Sequence, residues 1–157
     1  MKKRMQAGFT LVELIVVIVI LGILAAVALP RFMGLEKEAR IAAVKSMGGS
    51  LLSAANMAHG VCMAQGCAAN ATITISGQSV TFVQGYPNNA SIAGLLQSTD
   101  GFTVAANRFT KPGATANCWV RYNQPAGAGL EPTLTYHNIL SNTANQASID
   151  TDLRTQC

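Results

Sequence analysis

Hydrophobic and polar positions divide the chain into stretches of different period. From Phe9 to Leu29 only Thr10 and Glu13 are polar, and Glu13 is the sole charge. These 21 residues predict a helix of roughly 31 Å at about 1.5 Å per residue. That length crosses a bilayer core of about 30 Å. From Phe32 the apolar residues recur at helical spacing through Leu35, Ala39, Ala43, Met47, Leu51, Ala55 and Ala58. The pattern predicts an amphipathic continuation with mostly small residues on its face. His59-Gly60 is the expected stop, with glycine as the C-terminal signal. A helix from Phe9 to Gly60 would run roughly 78 Å, too long for a chain of 157 residues to bury alone. Its N-terminal half needs lipid or partner chains. Pro30 removes a hydrogen bond inside this helix and kinks it, and Gly22 is a weak helix former. The segment 22–30 is therefore where the helix can bend or locally unwind.

Beyond residue 60 the period falls to two. Ala71–Ile75 and Ser79–Val83 alternate on either side of Ser76-Gly77-Gln78, which predicts a hairpin. Tyr86–Asn89 reads as a turn and Ser91–Gln97 as a short helix or helical turn. Phe102–Ala106, Asn117–Tyr122 and Thr133–His137 are further strands, separated by loops at Pro112-Gly113 and Gln124–Gly129. The tail from Asn138 shows no pattern and is expected to pack through Ile139, Leu140, Ile149 and Leu153. The fold class is α+β: a long N-terminal helix on a small C-terminal antiparallel sheet.

The apolar run follows a basic leader, Lys2, Lys3 and Arg4, that ends in Gly8. An ordinary secretory signal is cleaved beyond its apolar run. Ala28-Leu29-Pro30 is a poor site of that kind, so the run is expected to stay on the mature chain, with a cytoplasmic N-terminus. Gly8-Phe9-Thr10-Leu11 followed by Glu13 resembles the class III signal and assembly helix of type IV pilins and their relatives. The likeness extends along the helix to about residue 60. Pro30–Leu35 with Ala39-Arg40 is similar to the mannose-sensitive haemagglutinin branch of that family. The resemblance implies cleavage after Gly8 by a prepilin peptidase that also N-methylates Phe9. It implies an inner-membrane stage in contact with lipid and an assembly platform, then export into an extracellular filament of identical or related subunits. Glu13 is the expected docking residue. A carboxylate in such a helix is expensive and marks function, and the freed amine of Phe9 on a neighbouring subunit would be its counter-charge. On this reading residues 1–8 are leader, 9–30 membrane and filament-core helix, 31–60 its amphipathic continuation, and 61–157 a β-rich head.

Composition adds limits. The net charge is +4. Without Lys2, Lys3 and Arg4, eight basic residues stand against seven acidic ones, so bulk charge gives no argument for nucleic acid. Four cysteines, Cys62, Cys67, Cys118 and Cys157, in an exported domain suggest two disulfides. Three pairings are open. Cys62–Cys67 with Cys118–Cys157 is favoured, the latter resembling the C-terminal disulfide loop of many type IV pilins. Zinc is the rival use, but Cys118 and Cys157 form no second knuckle.

No catalytic constellation emerges, and neither an enzyme nor a cofactor is implied. His59 is expected to close the helix, and His137 to end a strand as a surface or packing residue. Asp150 and Asp152, with Asp100 and Glu131, are weak calcium candidates. Trp119, Tyr122 and Tyr136 read as sheet packing, and Asn70-Ala-Thr72 and Asn89-Ala-Ser91 match the short glycosylation sequon. The readings that compete are a type IV pilus subunit for adhesion, motility or related surface functions, a pseudopilin of a type II secretion system, and a domain tethered by a plain signal anchor.

Overall fold

The computed structural model describes residues 9–113, 117–137, 139–141 and 146–157. Contacts divide the chain into two units, one ending at Glu36 and the other spanning Lys37–Cys157.

In the first unit, helix α1 (Leu11–Ala64) begins and passes both Gly22 and Pro30. The peptide bond at Pro30 is trans, like every other described. The large apolar side chains of this segment are exposed, from Phe9 at 80% through Ile15 at 45% to Leu35 at 61%. An apolar helix with no cover is stable only in lipid or against other chains.

The second unit is built on the rest of α1. Ile41, Val44, Leu51 and Ala55 form one buried stripe at helical spacing. A five-stranded antiparallel sheet covers it: β4 (Thr103–Ala105), β5 (Arg108–Thr110), β6 (Trp119–Asn123), β7 (Thr133–Tyr136) and β8 (Ile139–Leu140), in chain order. Phe109, Val120, Tyr122, Leu134 and Tyr136 face the helix, together with Ile149 and Leu153 of helix α2 (Gln146–Gln156). The stripe continues through Ala58 and Cys62, which pack against Val80 and Phe82. These belong to a three-stranded sheet, β1 (Thr72–Ile75), β2 (Gln78–Val83) and β3 (Tyr86–Pro87). A short 3-10 turn, Ile92–Leu95, follows it.

Gly48 lets the sheet approach. A Cβ there would collide with the Tyr136 hydroxyl. Between the sheets, the buried Tyr122 hydroxyl donates to the Pro87 carbonyl at 2.9 Å. Asn89 and Gln124 exchange two bonds, each backbone N–H donating to the other's side-chain oxygen at 2.9 Å. Burial raises both the Tyr122 and Tyr136 hydroxyls above the usual tyrosine range.

The structure departs from the sequence expectation in several places, the unexpected strand β5 among them. The single small sheet is two sheets. The helix does not stop at Gly60 but runs on to Ala64. Its end is a Schellman motif: Cys67 N–H donates to Cys62 C=O at 2.9 Å, and Gly66 N–H to Met63 C=O at 3.1 Å. Gly66 takes the left-handed conformation, φ 62°, so Gly66 and not Gly60 is the stop glycine. His59 consequently lies inside the helix. It stacks on Tyr86 with centroids 4.1 Å apart, and its Nδ1 donates to the Gly85 carbonyl at 2.7 Å. The Tyr86–Asn89 turn contains β3, pairing Val83 with Tyr86 and Phe82 with Pro87. The unpatterned tail contains α2, whose apolar contacts Ile149 and Leu153 are one turn apart.

Candidate functional site

Helix α1 starts at a charged cap. Thr10 occupies the N-cap position and Glu13 the third helical position. Glu13 N–H donates to Thr10 Oγ1 at 3.3 Å, and Glu13 Oε2 accepts from Thr10 N–H at 2.9 Å and from Thr10 Oγ1 at 2.8 Å. This is a capping box, which satisfies two backbone donors that a helix start leaves without partners. The carboxylate also lies in the first turn, where the helix dipole favours negative charge. Phe9 lies just outside the cap and is exposed. Among the described residues, Glu13 Oε1 accepts no hydrogen bond, so one oxygen is held inward and the other is open to a donor from outside. Sequence reasoning identified Glu13 but missed Thr10, although Thr-x-x-Glu before an apolar run is itself a capping signature. Gly8 falls outside the described residues.

The four cysteines lie in the head unit, apart from this cap in sequence. Cys62 is joined to Cys67, with Cα atoms 5.1 Å apart, and Cys118 to Cys157, with Cα atoms 4.7 Å apart. The first bridge ties the two positions that an ordinary Schellman motif holds by a hydrophobic contact. The second ties the start of β6 to the end of α2. Ion pairs reinforce that closure. Lys45 Nζ reaches Asp150 Oδ1 at 2.7 Å, and Arg154 grips Glu38 through both guanidinium branches, the longer bond 3.2 Å. Hydrogen bonds from Lys45 and Gln146 hold the Asp150 carboxyl below its usual range.

The weak calcium candidates are dispersed. Asp150 faces Lys45, and Asp152 Oδ2 lies 3.3 Å from His137 Nδ1, while Asp100 and Glu131 occupy different loops. No group of three or more His, Cys, Asp or Glu able to hold a metal is present among the described residues. His137 sits in a turn at φ 51°, with its ring edge-on to Trp119 at 5.9 Å.

The fold and the cap define a helix-anchored subunit whose bare apolar segment requires lipid or neighbouring chains, with a self-contained disulfide-closed head. Comparison with known proteins gives the family. A profile described as the prokaryotic N-terminal methylation motif matches residues 3–29. Fimbrial protein EcpC of Eikenella corrodens is 34% identical over 104 residues, covering 63% of this chain and 68% of that protein. The type IV major fimbrial protein FimA of Dichelobacter nodosus is 30% identical over 139 residues, or 85% of this chain and 83% of FimA. Type II secretion system core protein G of Pseudomonas aeruginosa is 49% identical over 45 residues, so the chain spans about a third of that relative's length, 32%. No solved structure matches. The chain belongs to the type IV fimbrial pilin family.

Proposed function

We propose that this chain is a structural subunit of a type IV pilus, polymerising through the N-terminal half of α1 into an extracellular filament. The observation that carries the proposal is the run of exposed large apolar side chains from Phe9 to Leu29, with Phe32 and Leu35 beyond it, headed by the carboxylate of Glu13. Before assembly the apolar half lies in the inner membrane. A peptidase removes residues 1–8 and methylates the new amine of Phe9. That amine then meets Glu13 of a neighbouring copy on the assembly platform, where each charge neutralises the other in an apolar surrounding. Gly22 and Pro30 give the packed helix its places to bend or partly unwind.

The second reading, a pseudopilin of a type II secretion system, is favoured by the identity to core protein G. The longer matches to EcpC and FimA and the Cys118–Cys157 loop favour the pilus. Filaments should be imaged on cells with and without the chain, and the N-terminus of the mature chain read by mass spectrometry. Long surface filaments built from a chain beginning at N-methyl-Phe9 are the expected result. An intact Met1, a cut near Ala28, or only short periplasmic filaments would overturn it.

A further inference from the structure

The face of the five-stranded sheet that points away from α1 carries an arrangement that the helix does not use. Phe109, Val120 and Tyr122 are buried on the inner side, so Arg108, Trp119 and Arg121 project from the other. Arg108 and Arg121 are direct cross-strand partners. Both guanidinium groups lie over the same indole, that of Trp119, at 5.7 and 4.9 Å from its centroid. Cation–π attraction holds the two in place, although like charges at paired positions repel. Neither has a carboxylate partner among the described residues, whereas Lys45 and Arg154 each have one. The result is a fixed two-guanidinium shelf without an anion.

Among the described residues the head also has an acid without a cation. Glu38, Asp150 and Asp152 face Arg154, Lys45 and His137. Asp100 lies beside Gly101, whose carbonyl accepts from Lys111 Nζ at 3.1 Å. Glu131 has no such neighbour among the described residues. It is exposed in the loop between β6 and β7, beside Leu130 at 55% exposure, on a cavity of about 630 Å³ whose lining contains no lysine or arginine. The β6–β7 ladder ends at the pair Asn123–Thr133, and Glu131 lies past that end, whereas Arg121 pairs with Thr135 inside it. Complementary patches at different places on one surface make a heterologous contact, which propagates head to tail instead of closing a symmetric dimer.

We propose that the Glu131 loop of one copy docks on the Arg108–Arg121 shelf of the next, a contact between heads that fixes their register in the polymer. The proposal rests on the polymer reading. Carboxylate between guanidiniums is the strong, directional form of ion pair, and such pairs govern register and partner choice.

The test uses full-length chain in cells lacking the natural copy. Arg121→Lys keeps the charge and supplies an amine for carbodiimide coupling. Filaments of this variant, assembled from mixed isotope-labelled and unlabelled copies, should give cross-linked peptides joining position 121 to Glu131 of another copy. Adding Glu131→Gln should abolish them. Arg121→Glu and Glu131→Arg should each lower filament yield by at least about tenfold, as apposed like charges do at an interface, and the two combined should restore it. Absence of the cross-link from intact filaments, or wild-type yield from both reversals, overturns the docking and leaves the polymer reading standing. Heparin binding to assembled filaments that Arg121→Glu removes would show the shelf open, and would also overturn it. A processed, unmutated chain that forms no filament defeats the polymer reading itself.

Discussion

The docking role proposed for Glu13 is separable from its bonds to Thr10, and Gln separates the two. The capping box accepts Glu or Gln at the third helical position. Glu13→Gln therefore keeps the bond from Thr10 N–H, 2.9 Å in the native chain, and deletes only the charge. Thr10→Ala does the reverse, removing the two bonds to Thr10 Oγ1 while leaving the carboxylate. Loss of an N-cap costs about 1 kcal/mol, roughly a fivefold change in the helix-start equilibrium. Leaving a neighbour's amine unpaired in an apolar filament costs about 3–5 kcal/mol per contact, a factor of about 100 or more in assembly. Leader removal, membrane insertion and sheared filament yield should be measured in the same cells. Thr10→Ala is expected to keep filaments within about fivefold of wild type. Glu13→Gln and Glu13→Leu should insert normally yet lose filaments by about a hundredfold. If Glu13→Gln assembles like wild type while Glu13→Leu does not, the carboxylate acts only as a cap. Normal filaments from Glu13→Leu would remove both roles.

The head gives three further expectations. Cys157→Ser opens a bridge of sequence separation 39, and loop-closure entropy puts the loss at about 4 kcal/mol; thermal denaturation of the oxidised wild type and the variant measures it, and an unchanged midpoint would refute it. Gly48→Ala drives a methyl into the Tyr136 hydroxyl and should destabilise by about 1–3 kcal/mol, with Gly49→Ala, where nothing lies within 4 Å, as the neutral control. The Asp150 carboxyl is held below its ordinary value of 3.8, so its stabilisation is present above that pH and is lost as pH falls through the lower folded value. The Lys45–Asp150 pair is about a third exposed, which keeps the effect below about 1 kcal/mol; the acid limb of the stability profile should flatten slightly in Asp150→Asn, and an identical limb would show that the pair contributes nothing.

Legibility in the sequence followed the strength of local periodicity. The hairpin of β1 and β2 was readable because Ser76-Gly77 supplies two positive-φ residues, 49° and 80°, between alternating strands, as a two-residue turn demands. The turn joining β4 to β5 begins with Ala106 at φ 53°, and alanine carries no such signal. With that turn hidden, β5 was hidden too, although Phe109 is fully buried. β3 was obscured by Pro87, which cannot donate to a ladder. Helix α2 was missed because only Ile149 and Leu153 mark its buried side, too few for a helical pattern. Its position comes instead from tertiary contacts, the Cys118–Cys157 bridge and the ion pairs to Lys45 and Glu38.

At the N-terminal site the sequence stated the chemical problem more clearly than its local solution. A lone carboxylate in an apolar helix demands a counter-group, and the demand pointed outward, to an amine on another chain. The structure supplies an inward answer first: Thr10 satisfies Glu13 Oε2 twice. The carboxylate is thereby held at the helix start by bonds within its own chain. Its orientation is fixed by the helix it caps. In the proposed docking, one partner is then ordered rather than two, which lowers the entropy lost in forming the contact. On that proposal Thr10 is a positioning residue for assembly as well as a cap. That role predicts slower filament elongation in Thr10→Ala even where the final yield is near normal, and Thr10→Ser, which keeps the hydroxyl, should recover the rate.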